Sequence, residues 1–70
     1  MSETIMLLNS LEEKIRKIDR AIKEANVIAE VLINKGVLSE TEWEKWLEAI
    51  ASGGTRNILW YVKMKKQKVK

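Results

Sequence analysis

Five residue types that usually anchor or punctuate a small domain are missing or scarce. In 70 residues there is no cysteine, histidine, proline or phenylalanine, and there are only three glycines. Without cysteine there is no disulfide and no thiol nucleophile. Without cysteine and histidine there is no zinc site of the usual kind. The missing histidine also removes the commonest general base. A chain of this size is marginal as a monomer, so the remaining routes to stability are well-packed helices or a partner subunit. Long apolar runs are lacking too. The richest stretch, Ala25 to Ile33, contains Asn26 and Glu30 and is far too short to span a bilayer. Met1 to Leu11 has no basic segment leading into an apolar core, so a soluble, cytoplasmic protein is expected.

The charge that is present is uneven. From Thr55 onward there are six bases (Arg56, Lys63, Lys65, Lys66, Lys68 and Lys70) and no acids, while the first 54 residues hold seven bases against ten acids. An acidic body thus carries a basic C-terminal tail over 63–70. Such a tail is either a solubilising end or a contact for phosphate or an acidic partner.

With no proline and no glycine before Gly36, nothing in the first half interrupts a helix. Leu8, Leu11, Ile15, Ile18, Ile22, Ala25, Ala29 and Leu32 repeat at alternating spacings of three and four, the pattern of a helix that lies along another helix. The expectation is one coiled-coil-type helix over 3–35, a rod of roughly 45–50 Å at 1.5 Å per residue. Its stop is expected at Gly36, in the left-handed conformation, with Val37 folded back on Leu32.

A second helix over 40–51 is signalled by the capping box Ser39-Glu40-Thr41-Glu42, with Leu38 and Trp43 placed as a hydrophobic staple. Trp43, Trp46, Leu47 and Ile50 form its apolar face. Segment 55–70 is ambiguous. Ile58, Trp60, Val62 and Met64 alternate as in a strand, yet no other segment offers a strand edge. A helix over 56–67 is therefore favoured, which makes the chain a single all-α domain over 1–70.

Helix 2 is too short to cover all of helix 1. It can cover the broad apolar block from Ala25 to Ile33, and it leaves the narrow stripe of Leu8, Leu11, Ile15, Ile18 and Ile22 bare. Large aliphatic residues left in water forfeit roughly 1.5–3 kcal/mol each. A homo-oligomeric bundle is expected through that stripe, a dimer first, with higher oligomers open. The alternative is an intramolecular bundle in which the third helix reaches the start of helix 1.

No catalytic constellation stands out, and no cofactor or metal is implied. Glu40, Glu44 and Glu48 share a face of helix 2 and read as a solvated face. Trp60 and Tyr61 are neighbours and diverge by about 100° on a helix, so one of them is expected at a surface or an interface. Gly53, Gly54, Thr55 and Arg56 precede the third helix in a way that can hold an anion. Together with Trp60, Tyr61, Lys63, Lys65, Lys66 and Lys68 they make up the candidate partner- or anion-binding set.

The stretch Val31-Leu32-Ile33-Asn34-Lys35-Gly36-Val37-Leu38-Ser39-Glu40-Thr41-Glu42-Trp43 resembles a recurrent element of short phage- and mobile-element-encoded helical accessory proteins. In that element a long helix ends at Lys-Gly, two aliphatics follow, and a Ser/Thr-x-x-Glu cap opens the next helix. The resemblance implies a protein that acts by binding and carries over no functional residue. The resulting expectation is a non-enzymatic homo-oligomer that inhibits or adapts a host or phage macromolecular complex. Nucleic-acid binding by the basic segment and sequestration of a small anionic or nucleotide ligand are the alternatives.

Overall fold

Ser2 opens the first helix in extended backbone, its hydroxyl accepting the Ile5 N–H at 3.4 Å. From there the computed structural model, which describes residues 2–69, contains four helices: α1 (Glu3–Arg16), α2 (Ile18–Asn34), α3 (Glu40–Ala51) and α4 (Thr55–Val69). No strand occurs among the described residues.

The expected rod over 3–35 is broken. Lys17 leaves helical geometry (φ −115°, ψ 33°) and Ala21 does the same one turn later (φ −121°, ψ 24°). Neither proline nor glycine causes the bend. A bend interrupts the continuous hydrogen-bond ladder that a straight helix would keep. Against this, folding the rod on itself buries Leu8, Leu11, Ile15 and Leu32 completely, and each such side chain is worth roughly 1.5–3 kcal/mol. Burial wins. The two halves of the heptad seam cover each other, and Lys35 at the end of α2 reaches Glu3 at the start of α1, 2.6 Å apart. The longest dimension of the molecule is 32 Å, well short of a straight rod.

The break at Gly36 follows expectation. Its φ is +77°, and the N–H groups of Val37 and Gly36 donate to the carbonyls of Leu32 and Ile33, both at 3.0 Å. Ser39 then caps α3, its hydroxyl accepting the Glu42 N–H at 3.0 Å. The return half of the expected capping box is replaced, because the Glu42 carboxylate pairs with Lys65 on α4 at 3.0 Å. Leu38 and Trp43 are both buried in the core, as the staple requires.

A second cap of the same design ends α3. Gly53 has φ +89°, and the N–H groups of Gly54 and Gly53 donate to Ala49 and Ile50 at 2.7 and 3.0 Å. Gly54 is required for space: a Cβ there would lie 2.9 Å from the Ala49 carbonyl oxygen. The third segment is helical. Thr55–Val69 extends the expected 56–67 by a residue or two at each end.

α1 packs on α2 and on α4, and α3 packs on α4. One core joins all four helices: Leu8, Leu11 and Ile15 of α1, Ala25, Ala29 and Leu32 of α2, Trp43 and Trp46 of α3, and Ile58 and Val62 of α4. α4 therefore reaches α1, with Lys66 donating to Asn9 at 3.0 Å and to Glu12 at 3.2 Å. The intramolecular bundle, the less favoured alternative, is what the single chain forms.

This corrects the basis of the oligomer expectation. Leu8, Leu11 and Ile15 are 0% exposed within one chain, so no partner is needed to cover them. Ile18 is half-buried, and only Ile22 remains exposed, at 38%. The expected cover of the second half by the tryptophan helix is also incomplete. The block from Ala25 to Ile33 is not buried on most faces, since Val27 is 61% and Val31 37% exposed.

Candidate functional site

α4 carries three faces with different work. Ile58 and Val62 point into the core. One turn further on, Lys65 and Lys66 turn inward as well. Lys65 donates to the Val37 carbonyl at 3.1 Å and pairs with Glu42, while Lys66 bridges Asn9 and Glu12. Both are half-buried. They tie the end of α4 to α1 and to the α2–α3 connection. Residues 63–69 of the expected tail thus form the last turns of a docked helix, and Lys70 lies outside the described residues.

The outward face is what remains. Arg56, Trp60 and Lys63 recur at four and three residues, so they share one side of the helix, with Asn57, Tyr61, Gln67 and Lys68 beside them. All seven are exposed, and α4 contains no acid. Arg56, Lys63 and Lys68 take part in none of the ion pairs formed among the described residues.

The aromatics on this face are supported from below. Trp43 and Trp46 meet edge to face with centroids 6.4 Å apart, Trp46 stacks on Tyr61 at 6.5 Å and 18°, and Tyr61 meets Trp60 edge to face at 5.3 Å. The series runs outward from two buried indoles to Tyr61, 49% exposed, and Trp60, 56% exposed. Such pairs are worth about 0.5–1.5 kcal/mol beyond burial. They also hold the two outer rings in place, which lowers the entropy lost when a partner covers them. An open groove runs beside them, lined by Lys45, Trp46 and Ala49 of α3 and by Ile58 and Tyr61 of α4, and it continues along Asn57 to Trp60.

The Gly53–Arg56 turn closes α3 and opens α4. The N–H groups of Gly53 and Gly54 are already used in closing α3. Thr55 is half-buried and starts α4, and Arg56 belongs to the exposed face of that helix. The structure therefore divides the ten candidate binding residues three ways. Gly53, Gly54 and Thr55 make the turn, Lys65 and Lys66 hold α4 in place, and Arg56, Trp60, Tyr61, Lys63 and Lys68 form one surface.

One contact between helices is not visible in the spacing of the chain. Asn26 accepts the indole N–H of Trp43 at 3.0 Å. Its one signal is that Asn26 is, with Glu30, a polar residue in the apolar-rich stretch from Ala25 to Ile33. Nor does the acidic row of α3 stand out on its own, because three glutamates at helical spacing are ordinary on a surface. Its interest comes from its neighbour, a helix without acids.

Among the described residues no group of three or more acidic side chains is placed to hold a metal ion, and no helix is long and apolar enough to cross a membrane. Set against protein-family models, curated proteins and solved structures, the chain matches none.

Proposed function

We propose that this chain is a non-catalytic binding protein that docks the outer face of α4 onto an acidic protein surface. What supports this is the pairing of two half-exposed, pre-positioned aromatics, Trp60 and Tyr61, with Arg56, Lys63 and Lys68 on a helix that has no acid. Buried aromatic and arginine side chains dominate binding energy at protein interfaces, and the flanking charges set orientation and rate. The lack of histidine and cysteine fits action by binding rather than by chemistry. A role as a phage or mobile-element accessory factor that inhibits or adapts a host complex rests on the resemblance at 31–43.

The nucleic-acid reading uses the same helix, but it has less to work with. Two of the five described bases of the segment are held in ion pairs, and the adjacent α3 presents Glu40, Glu44 and Glu48 to solvent. Acids beside a basic strip repel a continuous phosphate backbone and favour a protein whose acidic patch is confined to the width of α4.

The test is to follow amide shifts of the labelled protein with a glutamate-rich helical peptide and, separately, with a single-stranded oligonucleotide. The expected result is that shifts cluster on Arg56, Trp60, Tyr61 and Lys63 with the peptide and are lost in Trp60→Ala. Tighter binding of the oligonucleotide, with a steep salt dependence, would overturn the proposal.

A further inference from the structure

Resting on that reading of α4, we infer that the acidic surface it receives is α3 of a second copy of this chain, so that two α3–α4 hairpins pair about a two-fold axis parallel to the helices. The heights of the residues carry the argument. Within one chain α3 and α4 run antiparallel, and Glu42 lies level with Lys65 and Trp46 with Tyr61. On the same scale Glu44 is level with Lys63, Glu40 with Gln67 and next to Lys68, and Glu48 with Leu59, about 4.5 Å along the axis from Arg56. A two-fold axis parallel to the helices preserves these heights. Glu44 and Glu40 of one α3 then lie level with Lys63 and Lys68 of the other α4, and Glu48 lies within one turn of Arg56.

The pairing is self-complementary, as a two-fold interface must be: each chain supplies one acidic row and one basic row, and both are used twice. Both rows are exposed and uncommitted. Glu40, Glu44, Glu48, Arg56, Lys63 and Lys68 enter no ion pair among the described residues. Between the rows lies the open groove bounded by Lys45, Ala49 and Tyr61, with Trp60 on its rim. Ala49 leaves room for an incoming indole, and Lys45 is placed to lie against its face. The pairing accounts for two features at once, the exposed tryptophan and the opposite charges on adjacent helices. An oligonucleotide would use only one of the two rows and would be opposed by the other.

Sedimentation equilibrium of the full chain over a wide micromolar range, at low and high salt, tests this. The expected result is a monomer–dimer equilibrium that weakens with salt. Reversing the acidic row (Glu44→Lys with Glu48→Lys) or the basic row (Arg56→Glu with Lys63→Glu) should weaken the dimer by about tenfold or more. The variant with both rows reversed should recover it. All four positions are on the surface, so circular dichroism should report an unchanged helix content in every variant. A wild-type chain that stays monomeric throughout overturns the inference. So does a dimer indifferent to either reversal, since its interface lies elsewhere. A monomer that still binds the glutamate-rich peptide through Trp60 overturns the self-pairing and leaves the docking face standing, and a monomer that binds neither overturns both.

Discussion

Asn26 on α2 accepts the indole N–H of Trp43 on α3 across a distance of 3.0 Å, a link between helices separated by 17 positions in sequence. Trp43 is buried, so its N–H needs a partner from the protein, whereas Asn26 is exposed and has water as an alternative. Loss of Asn26 should therefore cost more than its own exposure suggests. Asn26→Ala is expected to destabilise the fold by about 1 kcal/mol, read as a lower denaturant midpoint at unchanged slope. In a Trp43→Phe background the same change should cost close to nothing, because the donor is gone. Equal costs in both backgrounds would show that the bond carries no coupling.

The two glycine caps make a second prediction. Gly36 and Gly53 sit at positive φ with open space where a Cβ would go, so only backbone conformation opposes a side chain there. Gly36→Ala and Gly53→Ala should each cost about 1–2 kcal/mol, the penalty for an L-residue in the left-handed region. Gly54 is different. Its Cβ would meet the Ala49 carbonyl, so Gly54→Ala must shift the backbone and disturb the start of α4. The expected order in thermal melts is Gly54→Ala below both of the others. A Gly54→Ala protein as stable as wild type would mean that the α3–α4 turn is looser than its 2.7 Å cap bond indicates.

How much of this arrangement could be read from the residues depends on the range of the physics involved. Caps are local: Ser39 and the glycines act within five residues, and their positions followed directly from spacing. The heptad seam is local in pattern and non-local in consequence. Its 3–4 spacing correctly marks Leu8, Leu11, Ile15, Ala25, Ala29 and Leu32 as one buried set, but it is silent on whether a second chain or the second half of the same helix covers that set. Arg16-Lys17-Ile18-Asp19-Arg20 holds no breaker. The bend there is decided by burial elsewhere, against local propensity. The same holds for Lys65 and Lys66. As members of a lysine-rich end they look like solvent charge, and only the docking of α4 on α3 and α1 gives them Glu42, Glu12 and Asn9 as partners. Trp60 and Tyr61 were legible as a pair that diverges; that both lie near half exposure depends on Trp46 beneath Tyr61.

The Glu3–Lys35 pair should make stability depend on pH at the acid end. A hydrogen bond from Lys35, together with its positive charge, holds the Glu3 carboxyl below the usual glutamate range. A carboxyl depressed in the folded state contributes stability above its unfolded value, about 4.3, and loses it as pH falls through the lower folded value. Wild type should therefore melt slightly above Glu3→Gln at neutral pH, with the gap closing in acid. Both groups reach solvent, so the gap should be small and should shrink with added salt. A difference that persists unchanged in strong acid would rule out this ion pair as its source.

The two halves of the expected oligomer stripe now part company, and truncation distinguishes them. Leu11 and Ile15 are fully enclosed by the chain's own helices, while Ile22 is 38% exposed just beyond the bend. Leu11→Ala and Ile15→Ala should each cost about 2–5 kcal/mol, the range for emptying a packed site. For a domain of this size the whole stability is of the order of 5 kcal/mol, so either protein should be near unfolding at room temperature. Ile22→Ala should cost well under 1 kcal/mol, as a substitution on a half-exposed surface. If the stripe were instead the seam of an obligate oligomer, all three truncations would lower the melting temperature in a way that recovers at higher protein concentration, because association would then supply part of the stability. The intramolecular bundle predicts that the losses at Leu11 and Ile15 do not change with concentration, and that Ile22→Ala melts with the wild type.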